Sequence, residues 1–347
     1  MSFVRPVQPL RLSLNENPLS PSPRVAAAVA AEVSHLNFYP IHGRELEAEI
    51  AAYLGHGLTE QNITLGHGGS EVLKRVSAAY IQPGDEAVIP VPTFPVYAAD
   101  VGRRGGVPVL TECHDDFTVD VEALLGQVTS KTRLMYITSP NNPSGAVLPQ
   151  NELDYLVSKL PDHVFLLFDE VYWHFGAQPH RARAYRHLER PNILILHSFS
   201  KAFGLAGLRL GYGIAHAATT SDFLRFEPAM RHNRLLTAAG AAALRDTEHV
   251  TRAVELVQSQ RTYLYDGLAA LPGVTQVLRS EASFVAFRPV GSSAWIAREL
   301  EARNVFVREL SAFHMPGWLR VSVGLPAANE CFLAALQDVL EHRPIVE

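Results

Sequence analysis

Seven short apolar runs recur along the first two thirds of the chain: Ile63 to Leu65, Ala87 to Ile89, Val107 to Leu110, Leu134 to Ile137, Val164 to Phe168, Ile193 to Leu196 and Leu210 to Ile214. Helix-like stretches separate most of them, among them Arg44 to Leu54 and Leu153 to Lys159. Strands that alternate with helices pair through right-handed crossovers, so the pattern predicts an α/β fold with a mostly parallel sheet flanked by helices. Val164-Phe165-Leu166-Leu167-Phe168 is apolar throughout, as a strand covered on both faces requires. A long helical stretch from Glu248 to Leu271 closes at Pro272-Gly273. Beyond it, Ser283 to Phe287, a helix from Ser293 to Arg303, Val305 to Arg308 and Leu319 to Val323 read as a small α/β layer. At 347 residues the chain suits one large domain with a smaller companion. The expected division is an N-terminal arm over 1–29 packing with the small domain, a large domain over 30–247 and a small C-terminal domain over 248–347.

Chemistry-bearing residues gather at the ends of these runs. The run Ile193 to Leu196 leads into Ser198-Phe199-Ser200-Lys201, and Arg209 follows eight positions after the lysine in a glycine-punctuated segment. A lysine captures a carbonyl only when its surroundings hold it near neutral and aim it. Ser198, Ser200 and Arg209 are donors suited to a phosphate, arginine offering a fixed fork of N–H groups. An amine beside a phosphate cradle is what pyridoxal phosphate needs, a Schiff base at one end and an anchor at the other. The run Val164 to Phe168 ends in Asp169-Glu170-Val171-Tyr172. Open α/β sheets bind ligands beyond the carboxyl ends of their strands, so Asp169 reads either as the partner of a pyridinium nitrogen or as a helix N-cap. Arg133 to Thr138 is a further strand and ends in the rigid turn Ser139-Pro140-Asn141-Asn142-Pro143-Ser144-Gly145, where Asn142 is the side chain placed to donate to a ring oxygen. Gly68-Gly69-Ser70-Glu71 precedes an amphipathic segment running to Tyr80, and a helix N-terminus there offers backbone N–H groups to an anion. Phe94 and Tyr97 read equally as core aromatics.

On these residues the chain resembles the fold-type I pyridoxal-phosphate enzymes of the class I/II aminotransferase group, and within it the histidinol-phosphate aminotransferase family. The resemblance runs from about the fifteenth residue almost to the C-terminus. It implies Lys201 as the Schiff-base lysine, Asp169 as the partner of the pyridine nitrogen, and Asn142 and Tyr172 as donors to the phenolic oxygen of the cofactor. It implies a phosphate grip of Ser198, Ser200 and Arg209 with the backbone of Gly69 and Ser70, and Phe94 stacked on the cofactor face. Tyr39, in Asn37-Phe38-Tyr39-Pro40, matches a tyrosine that reaches the phosphate of a neighbouring subunit, which implies a homodimer with shared active sites. Leu14-Asn15-Glu16-Asn17-Pro18-Leu19 matches the family's substrate segment and brings in Asn15 and Glu16. Arg320, in Trp318-Leu319-Arg320-Val321-Ser322, matches the arginine for the substrate α-carboxylate, and Arg308 one near a distal phosphate. The implied reaction moves an amino group from an amino acid or a histidinol phosphate-like donor to a 2-oxo acid.

The sequence also departs from that family. It carries Met230-Arg231-His232-Asn233-Arg234 where members have a Pro-aromatic-Asn segment, Gly-Gly-Ser where an acidic third residue is usual, and Trp173-His174-Phe175 after Tyr172. These leave the donor open, along with two same-fold outcomes at Cα, decarboxylation and oxygen-dependent oxidation. A regulatory sensor fused to a DNA-binding domain is disfavoured, because the cofactor motifs begin near the first residue. A net charge of −5 gives no reason for a nucleic-acid partner. Cys113 and Cys331 lack metal or CxxC spacing, so no metal is expected. No apolar run approaches the roughly 18 residues of a membrane span, and the first six residues lack a signal peptide's apolar core, making the cytoplasm the expected setting.

Overall fold

The computed structural model describes residues 3–40, 43–176, 183–226 and 232–342. All seven apolar runs are strands of one sheet, in the order Ile63–His67, Leu210–Ala215, Ile193–Ser198, Phe165–Asp169, Thr132–Thr138, Glu86–Val91 and Val107–Glu112. Every strand is parallel except Leu210–Ala215, which runs antiparallel to both of its neighbours. The fold is α/β, as the alternation predicts. Phe165–Asp169 and Ile193–Ser198 are buried at every position because helices or loops cover both faces of the sheet. The ladder aligns Thr138 with Asp169 and Asp169 with Leu196, and further along pairs Ser198 with Gly211. Strands lie about 4.8 Å apart, so this register alone brings Thr138, Asp169 and Ser198 to one edge of the sheet.

A second sheet, antiparallel, orders Arg308–Glu309, Leu319–Ser322, Phe284–Pro289 and Val274–Val277. The helix Thr247–Ala270 leads into it, and Ser293–Ala302 and Pro326–Glu341 pack with it. The run Val305 to Arg308, expected as one strand, is two. Val305–Phe306 pairs in parallel with Leu10–Arg11 of the N-terminal arm, while Arg308–Glu309 pairs with Leu319–Ser322. Residues on either side of Val307 therefore serve different sheets. The strand Val274–Val277 went unread because it is short and half exposed, with no apolar run to mark it. Past its own pairing the arm runs beside the second sheet, where Ser322 N–H donates to Leu12 O at 2.8 Å. It then crosses to the first sheet, where Asn17 Nδ2 donates to the carbonyls of Lys201 and Ala202, both at 3.0 Å.

Candidate active site

A cavity of about 290 Å³ opens where the carboxyl ends of the parallel strands meet the arm and the second sheet. Lys201, Asp169, Tyr172, Gly69, Ser70, Phe94, Asn142, Ser198, Ser200, Arg209, Asn15, Arg308 and Arg320 all line it. Thirteen positions scattered over three hundred residues thus meet in one space.

One end of the cavity is a cradle of backbone and hydroxyl donors. The helix Gly69–Tyr80 begins at the wall, so the backbone N–H groups of its first turn face the space ahead of it. Gly68 has φ +76°, and a Cβ there would lie 2.4 Å from Arg209 Nη2. The guanidinium therefore rests on the bare glycine backbone, and a side chain at this left-handed position would be strained and would push it aside. Arg209 itself takes a left-handed φ of 57°, a conformation costly for a residue with a Cβ and usually kept where function needs it. Gly211 repeats the close approach, since its Cβ would lie 2.3 Å from Gly69 N. Ser198 Oγ accepts from Ser200 N–H at 3.1 Å, which ties the two serines of the motif together.

Asp169 stands at the strand end, 4% exposed. Burial pushes its carboxyl up to about 6, opposed by hydrogen bonds from Tyr97 and Val171 and by the charges of His197 and Lys201. Tyr97 Oη donates to Asp169 Oδ2 at 2.6 Å and Val171 N–H to Oδ1 at 3.0 Å. No helix starts at Asp169, because the short turn Trp173–Phe175 that follows begins at Tyr172; the carboxylate accepts from a backbone N–H two residues on and lines the cavity. Lys201 Nζ donates to the carbonyls of Asn15 at 3.1 Å and Leu14 at 3.4 Å, and lies 5.3 Å from the centre of the Tyr172 ring. Tyr172 Oη accepts from Asn15 Nδ2 at 2.9 Å, which leaves the phenol proton free to point elsewhere. Asn15 is buried at φ +55° and held by Ser322, whose Oγ donates to its Oδ1 at 3.0 Å and accepts from its N–H at 2.8 Å.

The other end is cationic. Arg308 and Arg320 are direct partners across an antiparallel pair, which puts both side chains on one face. Phe313 lies between them, its ring centre 5.6 Å from the Arg308 guanidinium and 5.4 Å from that of Arg320. Arg320 is buried, and its Nη2 donates to Ser13 O at 2.8 Å while Nη1 donates to Asn142 Oδ1. With its oxygen thus engaged, Asn142 keeps its NH2 group for the cavity. Arg320 Nε is buried with no hydrogen-bond partner among the described residues. Burial brings the guanidinium down to about 10, the Tyr172 hydroxyl acting against that shift and the neighbouring Arg308 charge adding to it.

Two of the expected residues lie elsewhere. Glu16 does not line the cavity; its Oε1 pairs with Arg11 Nη2 at 2.6 Å, near the surface. Tyr39 is 76% exposed and outside the cavity of its own chain. Of the family departures, Arg234 pairs with Glu32 at 3.2 Å, His232 packs 5.3 Å from His67, and Arg231 lies outside the described residues. Trp173–Phe175 is a short turn that packs away from the cavity, with Trp173 stacked on His197. Sequence reasoning missed Ser13, Thr138, Val171 and Phe313 as lining residues and left Tyr97 as plain core. Only the resemblance of Phe94 to the family's stacking ring marked that segment out.

Comparison with known proteins completes the description. Residues 7–336 match the family described as aminotransferase class I and II. A histidinol-phosphate aminotransferase 2 from Carboxydothermus hydrogenoformans is 36% identical over 341 residues, spanning 95% of this chain and 91% of that protein. Among solved structures, a histidinol-phosphate aminotransferase from Sinorhizobium meliloti in complex with pyridoxal-5'-phosphate superposes with a TM-score of 0.87 at 25% identity, covering 95% of this chain and 90% of that one. An aspartate aminotransferase variant from Thermus thermophilus gives 0.85 at 25% identity, with 96% of each chain covered.

Proposed function

The chain belongs to the aminotransferase class I and II family, and from that premise we propose that it uses pyridoxal 5'-phosphate to pass an amino group from an anionic donor of the histidinol phosphate kind to a 2-oxo acid. The observation that carries this reading is the meeting of the Lys201 amine, the buried Asp169 carboxylate and the donor cradle of Gly69, Ser70, Ser198, Ser200 and Arg209 in one cavity. The residues fit the cofactor on their own chemistry. Ser70, Ser198, Ser200 and the Arg209 guanidinium line one wall together with the helix start at Gly69, a donor set suited to a phosphate. Phe94 offers a ring face, and the Asp169 carboxylate suits a protonated ring nitrogen.

When bound, the cofactor supplies an electron-withdrawing ring conjugated to the donor nitrogen, which makes the adjoining C–H acidic. Each side chain then has a defined task. Ser70, Ser198, Ser200, Arg209 and the first turn of Gly69–Tyr80 hold the phosphate. Asp169 keeps the proton on the ring nitrogen, stabilising charge that develops there. Tyr172, whose oxygen is already engaged by Asn15, and Asn142, whose oxygen is engaged by Arg320, each have an N–H or O–H left for the ring oxygen. Lys201 Nζ sits beside neutral carbonyls and gives up no carboxylate partner when it acts as general base at the donor carbon.

Arg320 and Arg308 take the anionic end of the substrate. Like charges directly opposite on a strand pair repel, and a buried cation without a counter-ion is costly, so both features favour an arriving anion. A homodimer belongs to the same reading. Val33, Leu36, Phe38 and Tyr39 are all exposed apolar or aromatic side chains within seven residues of sequence, as a subunit contact that carries Tyr39 to a neighbour would need. The same reading keeps an arm over 1–29, a large domain over 30–247 and a small domain over 248–347, supported by the presence of two sheets though the helix Pro23–Glu32 crosses the first boundary. The cytoplasm suits the free thiols Cys113 and Cys331.

A donor panel tests the proposal. Histidinol phosphate, histidinol, aspartate and aromatic amino acids are each supplied with 2-oxoglutarate, and the ketone and keto acid products are counted. Histidinol phosphate should exceed its dephosphorylated form by about tenfold or more in kcat/KM, the worth of charge-assisted hydrogen bonds. Equal rates for the two would remove the anionic-donor reading. Protein that stays colourless with the cofactor would remove the whole.

A further inference from the structure

Tyr97 stands on the helix Val96–Arg103, 72 residues from Asp169 in sequence, and is 1% exposed. Its hydroxyl touches two groups, Asp169 Oδ2 at 2.6 Å and Thr138 Oγ1 at 2.9 Å. A phenol has one proton, and an ionised carboxylate only accepts. The Tyr97 proton therefore goes to Asp169, and Thr138 must donate its own proton to the phenol oxygen. The three groups form a chain of donors polarised toward the carboxylate, and such chains strengthen each bond in them. The ring cannot swing away. It stacks on Tyr136 at 4.7 Å and meets Phe94 edge-on at 5.6 Å.

We propose that Tyr97, with Thr138 behind it, is a positioning residue that keeps the buried Asp169 carboxylate ionised and fixed in one orientation at the foot of the cavity. This rests on the reading of Asp169 as the cofactor's ring-nitrogen partner, and it names what holds that partner charged. Burial alone drives a carboxyl toward its neutral form. Four groups oppose it: the Tyr97 hydroxyl, the Val171 N–H, and the charges of Lys201 and of His197. His197 is engaged on the far side by Glu170, whose Oε2 lies 2.9 Å from His197 Nε2, and Lys201 leaves to do its own work. Of the two hydrogen bonds to the carboxylate, the one from Tyr97 is the shorter, 2.6 Å against 3.0 Å from Val171. Tyr97 also backs Phe94, so one residue sets both the ring-nitrogen partner and the ring that faces the cofactor.

The test reads the carboxylate directly. In cofactor-free protein carrying 13C at the aspartate side-chain carboxyls, the Asp169 resonance is the one lost in Asp169→Asn, and it is titrated between pH 4 and 9. Tyr97→Phe keeps the ring and its packing and removes only the hydroxyl. The Asp169 midpoint should rise by about one pH unit or more, a tenfold change in its ionisation equilibrium. Thr138→Val, which removes the donor behind Tyr97 and keeps its shape, should move the midpoint the same way by less. It also stands in if Tyr97→Phe fails to fold. In cofactor-loaded enzyme the acid limb of kcat should shift with the midpoint while KM for the amino donor holds. A midpoint unmoved in both variants overturns the proposal, since a packing role alone would leave it in place. If the midpoint moves and no amino transfer is found in the wild-type protein, it is the functional reading that fails and the hydrogen-bond assignment that stands.

Discussion

The two ends of the cavity are built in different ways. The cofactor end is organised by a single sheet: Thr138, Asp169 and Ser198 close neighbouring strands whose spacing the hydrogen-bond ladder fixes, and Tyr172, Ser200, Lys201 and Arg209 stand on the turns beside them. The substrate end is assembled from separate pieces of chain: Ser13 to Asn15 from the arm, Arg308 and Arg320 from the second sheet, and Phe313 from the turn between those two strands. One end is rigid by construction. The other depends on the arm, which bonds to both sheets through Asn15 and Asn17. The contrast teaches where chemistry and specificity are separable. A fixed frame suits a group that stays bound, while a composite wall lets one frame serve different donors. The superposition on both a histidinol-phosphate and an aspartate aminotransferase shows one frame shared by proteins named for different substrates.

The comparison breaks most visibly at Lys201. Lys201→Ala should lower amino transfer from every donor alike, on the order of 10⁴-fold, because the proton at the donor carbon loses its base. Single-turnover kinetics on folded protein check this, and borohydride reduction of the wild type should leave the cofactor on the peptide containing Lys201. Substantial residual turnover would move the chemistry to another residue.

The substrate end should fail selectively. Arg320→Ala should cost about a hundredfold in kcat/KM for every anionic donor, since it removes a buried charge-assisted contact worth about 2–3 kcal/mol. Arg308 is exposed and its charge is screened, so Arg308→Ala should cost about tenfold, and only for donors with a charged far end. Steady-state kinetics across the donor panel separate the two. Equal losses for neutral and anionic donors in Arg308→Ala would make Arg308 a structural residue and the wall less divided than described.

The smallest effect concerns stability at the rigid end. Asp169 has a folded pKa of about 6 against an ordinary value of 3.8. Between those values the folded state binds more protons than the unfolded one, so this group's contribution to stability is greatest at low pH and is lost as pH rises through about 6. Above that it leaves a cost of roughly 3 kcal/mol in cofactor-free protein. Asp169→Asn, which still offers an acceptor to Tyr97, should therefore raise the Tm by a few degrees at pH 8 and by little at pH 4. Thermal unfolding at the two values decides it. A gain of the same size at both would show that the buried charge is not the cause.

Much of the rigid end was legible in the sequence. Each strand of the first sheet is an apolar run with turn or polar residues at its end; Asp169 directly follows such a run, and Lys201 and Asn142 each stand five positions beyond one. The composite end was legible only in part. Arg320 was marked by an arginine within an apolar strand, where burial demands an anion. Glu16 sat in the right segment, yet the chain turns at Asn15, with its left-handed φ, and sends Glu16 toward Arg11. Tyr97 was unreadable as more than core, because a buried tyrosine on a helix looks the same whether or not its hydroxyl meets a carboxylate.

What the sequence determined by itself is the set of elements and the kind of side chain at the end of each, because apolar periodicity and turn residues act over a few neighbouring positions. Tertiary structure alone decided who meets whom. Asp169 takes its bond from Tyr97 across 72 residues, Tyr172 from Asn15 across 157, and Asn15 is clamped by Ser322 across 307. Arg308 faces Arg320 only because the run from Val305 divides between two sheets. Such contacts depend on strand order, register and the path of the arm, which are settled when the whole core packs and are written in no short stretch of the chain.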